Sequence, residues 1–140
     1  MKALITTVPF GKVDTKPLEL LNAAGIEVNI NPIGRKLTEL ELADLIQGHE
    51  ILIAGTEKIT DFVLDKASEL KLIARVGIGL DSVDLWAARK RNIKVSYTPD
   101  APSPAVAELT IALVLSLLRH VQLSNYRMKS GVWHRYFGKM

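Results

Sequence analysis

The 140-residue sequence contains no cysteine, which rules out a disulfide framework, a thiolate metal site and a cysteine nucleophile. Aromatic residues are scarce at 6%, and the three histidines, His49, His120 and His134, have no metal-ligand spacing with one another or with acids. His49 falls in a helix-to-strand turn, His120 at a helix C-terminus and His134 beside Trp133, so exposed or capping roles are expected for all three. No metal site and no catalytic residue is assigned. Long apolar runs are also missing: the longest, Leu109 to Leu118, is broken by Thr110 and Ser116, is too short to cross a bilayer and reads as a buried helix. The opening Met1-Lys2-Ala3-Leu4-Ile5 lacks the apolar segment and cleavage site of a signal peptide, so a cytoplasmic protein without a membrane anchor is expected. Acidic residues are absent after Arg119, where Arg119, Arg127, Lys129, Arg135 and Lys139 lie among aromatic residues. Such a tail is compatible with gripping nucleic acid, but a surface prepared for another domain or subunit is the preferred reading.

The composition that is present, 48% apolar and 24% charged, is ordinary for a folded soluble domain. Short apolar runs alternate with longer amphipathic stretches, the pattern of repeated β-α units in a mostly parallel sheet. Strands are predicted at Lys2 to Thr6, Glu27 to Asn31, Ile51 to Ala54, Leu72 to Val76 and Lys94 to Tyr97. Asp14 or Thr15, Pro17 and Gly25 punctuate a first helix, and Thr38 with Glu41 forms a capping box for a second that ends at Gly48. Thr60 opens a third in the same manner, and Asp81 or Ser82 starts a fourth that ends in Arg89-Lys90-Arg91. These units predict an α/β fold, a flavodoxin-like doubly wound parallel sheet of five strands.

Three prolines, Pro99, Pro102 and Pro104, then forbid both helix and central strand, and the chain must turn. Ser103 as N-cap and Pro104 launch a helix from Ala105 to about Val121 that is apolar around nearly its whole circumference. Such a helix needs cover on every side, which implies a further domain or a second subunit.

The segment Arg75-Val76-Gly77-Ile78-Gly79-Leu80-Asp81 sits beyond the fourth strand and is expected to open the fourth helix. Two glycines there let the backbone approach an anion near a helix end, though a purely structural glycine turn is an equal alternative. The segment lacks the third glycine of a dinucleotide fingerprint and the Lys-Ser/Thr ending of a nucleoside-triphosphate loop.

Together with Val83-Asp84-Leu85, Ala87-Ala88, Ile93-Lys94-Val95, Thr98-Pro99, Val106-Ala107-Glu108-Leu109-Thr110 and Gly131-Val132-Trp133, this segment resembles the D-isomer-specific 2-hydroxyacid dehydrogenases, phosphoglycerate dehydrogenases among them. The resemblance is strong over residues 50–140. It implies an NAD- or NADP-dependent parent oxidoreductase, a substrate-binding domain over 1–103, and an interdomain or dimerisation helix with the start of a linker over 104–140. A nucleotide-binding domain and the family's catalytic arginine, glutamate and histidine are expected outside this chain, so neither bound cofactor nor catalysis is expected of it alone. Val76, Gly77 and Ile78 match the loop whose amides hold a substrate carboxylate, with Gly79 completing the turn and Arg75 helping to bind the anion. Ile78 and Thr110 match positions beside the cofactor. The implied partners are a small anionic 2-hydroxy or 2-oxo acid and a second copy joined through residues 105–140, with neither nucleic acid nor membrane.

Two departures qualify the substrate: Ala54-Gly55-Thr56-Glu57-Lys58 stands where phosphoglycerate dehydrogenases carry an arginine, and Pro102 where they often carry an asparagine. Lys58 could replace a guanidinium only as a point charge. Other functions fit the residues less well. A phosphoacceptor receiver needs acids at the ends of the first and third strands, and these ends read Thr6-Thr7-Val8 and Ala54-Gly55-Thr56. Flavodoxin-like electron transfer needs a hydroxyl- and glycine-rich phosphate loop where Val8-Pro9-Phe10 stands. A stand-alone dimerising or regulatory module remains the alternative.

Overall fold

A computed structural model describes residues 1–137. It divides into two compact units, Met1–Asp100 and the segment from Ala101 onward. The first holds five strands, β1 Lys2–Ile5, β2 Glu27–Ile30, β3 Ile51–Ala54, β4 Leu72–Arg75 and β5 Lys94–Tyr97, all parallel in the order β2-β1-β3-β4-β5. This is the expected doubly wound sheet. Three strands end one residue early, yet the next residue still donates its amide across the sheet: Thr6 to Ile53, Asn31 to Ile5 and Val76 to Ala54.

The order reverses direction at β1, which separates β2 on one side from β3 on the other. Right-handed crossovers therefore put α1 (Lys16–Ala23) on one face and α2 (Glu39–Leu45), α3 (Asp61–Lys66) and α4 (Leu85–Lys90) on the opposite face. The core lies beneath the three-helix face: Leu4, Leu52 and Ile73 from the strands meet Leu42, Ile46, Val63 and Leu64 from the helices, all buried. Period-two alternation sends Ala3, Ile5 and Ile53 to the other face. There α1 packs along β2 and buries no residue of its own.

Capping explains most helix boundaries. Gly25 ends α1 at a φ of 69°, and the Ile26 amide returns to the Leu21 carbonyl. At α2 the capping box forms as expected: the Glu41 amide donates to Thr38 Oγ1, and Glu41 Oε2 accepts from the Thr38 amide at 2.8 Å. Arg35 also grips this carboxylate, and that hydrogen bond, joined by those from Thr38, pulls the Glu41 pKa down to about 2. Thr60 occupies the N-cap position of α3 but makes no cap hydrogen bond; its hydroxyl donates to Glu39 on the neighbouring helix.

The fourth helix differs more. It starts at Leu85, not at Asp81 or Ser82, and is capped by Asp84, whose Oδ1 accepts from the Ala87 amide at 2.9 Å. The preceding residues are held extended by a parallel bridge between Ile59 and Val83, with Ile59 donating to Ser82 and Asp84 donating to Ile59. A helical turn cannot form there while these backbone groups are engaged in the bridge.

The second unit holds α5 (Ser103–Leu118) and α6 (Val121–Lys129). The predicted single helix to Val121 is thus cut short at Leu118: His120 takes a left-handed conformation with φ of 54°, and the two helices meet at a bend of 64°. The helix begins two residues earlier than expected, with Pro102 in the cap position. Neither helix contains a buried residue, so the expectation of a buried Leu109 to Leu118 fails within this chain. No single helix is long and apolar enough to cross a membrane.

Candidate functional site

In an open parallel sheet, ligands settle beyond the carboxyl ends of the strands where the winding reverses. That point here is the gap between β1 and β3. A cavity of about 170 Å³ occupies it, lined by Thr6, Thr7 and Val8 after β1, by Gly55, Thr56 and Glu57 after β3, by Arg75 and Val76 at the end of β4, and by Lys36. Register places these together, since Ala54 pairs with Arg75 across β3 and β4 while Thr6 donates to Ile53 across β1 and β3. A second, wider cavity of about 490 Å³ shares Lys36 and Thr56 with it and continues along Lys58, Thr60, Asp81 and Ser82.

Three cations border this region. Lys36, Lys58 and Arg75 make no ion pair among the described residues. The alternative reading of Arg75 as a surface ion pair at a strand end is therefore not met. Instead its guanidinium folds back to donate to the Val76 carbonyl, and its Nε is buried without a partner. The acids are largely committed elsewhere: Asp84 caps α4, and Glu57 is 2% exposed and internally bonded. Asp81 leans over Gly79, where an added Cβ would stand 3.3 Å from its Oδ2.

The glycine loop faces outward. Val76 is 43% and Ile78 54% exposed, so the loop is not packed beneath other side chains. Its amides divide into two sets. Val76 donates to Ala54 at 2.9 Å and Gly77 to Thr98 Oγ1 at 2.9 Å, while Ile78 and Gly79 have no acceptor among the described residues. The expected anion-binding set of Val76, Gly77 and Ile78 is narrowed accordingly, because an N–H already bonded inside the chain must break that bond to serve a ligand. The helix-end contribution is also removed: α4 begins at Leu85, well beyond Gly79, and its first amides face the Asp84 carboxylate. Gly77 is needed for its backbone, with a φ of 145°, and a Cβ there would run into the Arg75 guanidinium.

Thr110 lies in the second unit, exposed on α5, where its hydroxyl donates to the Val106 carbonyl one turn earlier at 2.7 Å. The glycine loop makes no cradle for a dinucleotide pyrophosphate: Asp81 stands over Gly79, and the helix that follows the loop is capped by Asp84. The residues present do not fit a complete NAD site. Nor do any three His, Asp or Glu side chains among the described residues cluster as metal ligands.

Among the histidines, His120 and His134 are exposed, and His134 stacks edge-on against Tyr136. His49 departs from the exposed role and fills the capping one. It is buried, with Nδ1 3.0 Å from the Gln47 carbonyl and Nε2 2.9 Å from Asn29 Nδ2, and so ties the turn after α2 to β2.

The residues missed from sequence are Thr6, Lys36 and Glu57. A glutamate just past a strand end reads as solvated loop, and only the register of β1 against β3 brings it under Thr6. There Glu57 Oε1 accepts from the Thr6 hydroxyl and from the Gly55 amide at 2.9 Å. Gly55 carried a readable signal, since no side chain fits: a Cβ would stand 3.0 Å from Glu57 and 3.1 Å from the Thr7 Cα.

The sequence profile described as "D-isomer specific 2-hydroxyacid dehydrogenase, catalytic domain" matches residues 4–133. The chain is 36% identical over 137 residues to a D-3-phosphoglycerate dehydrogenase of Methanocaldococcus jannaschii, a match that covers 96% of this chain and 25% of that protein. It is 35% identical over 117 residues to a hydroxypyruvate reductase of Thermotoga maritima, covering 83% of this chain and 37% of the relative. A crystal structure of a Thermus thermophilus protein superposes with a TM-score of 0.86 at 35% identity, over all of this chain and 44% of the other. The chain thus spans less than half the length of the proteins it matches.

Proposed function

The chain belongs to the D-isomer specific 2-hydroxyacid dehydrogenase family, and on that premise we propose that it is the acid-holding part of an oxidoreductase that interconverts a D-2-hydroxy acid and a 2-oxo acid. The observation that carries this reading is the cavity at the winding reversal, lined by Lys36 and Arg75, neither of which has an ion-pair partner among the described residues. The amides of Ile78 and Gly79 supply two donors without acceptors, and Arg75 adds a charge whose buried Nε lacks a partner. A carboxylate accepts from such donors with bonds about twice as strong as neutral ones. Holding C1 of the acid in this way fixes where C2 stands, which is the positional part of catalysis.

When bound, the oxidised nicotinamide cofactor would accept the hydride from C2 of the hydroxy acid, and its reduced form would return it to C2 of the oxo acid. Ile78 and Thr110 are proposed to border it as flanking surfaces, since the glycine loop offers no pyrophosphate cradle. The residues here bind and orient the acid, and they exclude water from one side of it. None is assigned as a proton donor to the oxygen on C2, so the 140 residues alone are proposed to catalyse no turnover. The exposed apolar surface of α5 is proposed as a contact between two copies, within the expected organisation of 1–103 as substrate domain and 104–140 as interdomain or dimerisation segment.

Calorimetry tests the reading. Titration with a 2-oxo acid is expected to give saturable millimolar binding that Arg75→Ala weakens at least about tenfold, the loss expected when a charged hydrogen bond is removed. The same chain titrated with NAD is expected to show no heat of binding. An acid that binds equally well to wild type and Arg75→Ala contradicts the assignment.

A further inference from the structure

Glu57 is the most buried acid of the chain, at 2% exposure, and it lines the cavity at the winding reversal. Both of its hydrogen bonds, from Thr6 Oγ1 and from the Gly55 amide, fall on the same atom, Oε1. Oε2 has no donor among the described residues. A carboxylate oxygen accepts hydrogen bonds, and Oε2 is not sealed from solvent, so a donor in the cavity can reach it. Neither Lys36 nor Arg75 forms an ion pair with it.

We propose that Glu57 Oε2 reads the end of the substrate remote from its carboxylate, and selects 2-oxo and 2-hydroxy acids that carry a hydroxyl there. The inference rests on the acid-holding reading above, in which Arg75 and its neighbouring loop hold C1. Arg75, Val76 and Glu57 line one cavity of about 170 Å³, small enough that an acid held at the β4 end presents its other end to the β1 and β3 exits. Three chemistries can arrive at Glu57. A methyl group displaces water and leaves Oε2 unpaired. A phosphate or second carboxylate brings negative charge against a buried carboxylate in a medium of low dielectric. A hydroxyl donates a hydrogen bond to the open acceptor. A site built to pair a substrate hydroxyl rejects the analogue that lacks it far more strongly than an apolar pocket rejects an extra group.

The geometry also provides a substitution that inverts the preference without removing atoms. In Glu57→Gln the side-chain oxygen keeps the bonds from Thr6 and Gly55, so the new amide nitrogen takes the place of Oε2 and presents donors to the cavity. A residue that merely supported the loop would leave ligand selectivity unmoved.

The test is an amide NMR titration of the 140-residue chain with pyruvate, 3-hydroxypyruvate and 3-phosphohydroxypyruvate, in wild type and Glu57→Gln. Wild type is expected to bind hydroxypyruvate at least about tenfold more tightly than the other two, the effect of one hydrogen bond to a charged group. In Glu57→Gln that preference is expected to disappear and the phosphorylated acid to gain affinity. Wild-type binding of pyruvate or the phosphorylated acid as tight as that of hydroxypyruvate overturns the proposal by itself, whatever the fold of the variant, and leaves the acid-holding reading intact. A preference that survives in folded Glu57→Gln overturns it as well. Failure of all three acids to bind overturns the acid-holding reading, and the role of Glu57 falls with it.

Discussion

The unit that ends at Asp100 and the unit that begins at Ala101 bury their helices very differently. In the first, α2 and α3 each place two residues in a core shared with Leu4, Leu52 and Ile73. In the second, α5 carries an almost unbroken series of Leu, Ile, Val and Ala and buries none of them. What separates them is a sheet: parallel strands give the amphipathic helices of the first unit a surface to cover, whereas α5 is apolar all round and packs with α6 inside the second unit. Burial inside the chain stabilises the first unit, and the second is the one proposed above to meet a second copy.

The largest expected effect sharpens this contrast. Leu52→Ala, at a fully buried strand position, is expected to lower stability by about 2–5 kcal/mol, whereas Leu113→Ala on α5 should stay within about 0.5 kcal/mol in dilute solution. Urea denaturation of both variants checks it, and equal losses would break the contrast. Next in size is Gly55→Ala, whose Cβ meets the Thr7 backbone and Glu57; a cost of about 1–3 kcal/mol is expected, with weaker acid binding in the same variant. Thr38→Ala removes the side-chain cap of α2 and is expected to cost about 1 kcal/mol, while Thr60→Ala, which caps nothing, should cost α3 less by thermal melting. Smallest is a pH effect. Glu41 is held at about 2, below its ordinary 4.5, by its bond to Arg35 and then by those to Thr38, so its contribution is complete above pH 4.5 and is lost as pH falls toward 2. The melting difference between wild type and Glu41→Gln should shrink over that window, and a constant difference would contradict the linkage.

The sheet was legible because each central strand is a short β-rich apolar run set off by caps and glycines, and Thr38 with Glu41 is a local signal that needs no tertiary knowledge. The start of α4 was not legible: Asp81, Ser82 and Asp84 are all acceptable N-caps, and the choice falls to Asp84 only because Ile59 takes Val83 into a bridge. The kink at His120 was equally hidden, since a left-handed histidine leaves no mark in an apolar pattern. At the proposed site, Arg75 and the glycine loop are singled out by motif alone. Which amides stay free depends on Thr98 on the neighbouring strand exit, and the burial of Glu57 depends on the pairing of β1 with β3. Long-range register, which no short window of sequence carries, decides both.

Most direct is a comparison of backbone amides in the chain with and without a saturating 2-oxo acid. Large chemical-shift changes and slowed hydrogen exchange are expected at Ile78 and Gly79, with Val76 unchanged because its N–H already bonds Ala54. Changes confined to α5 and α6, or none in the β4 exit loop, would place the acid elsewhere and contradict the site at the winding reversal.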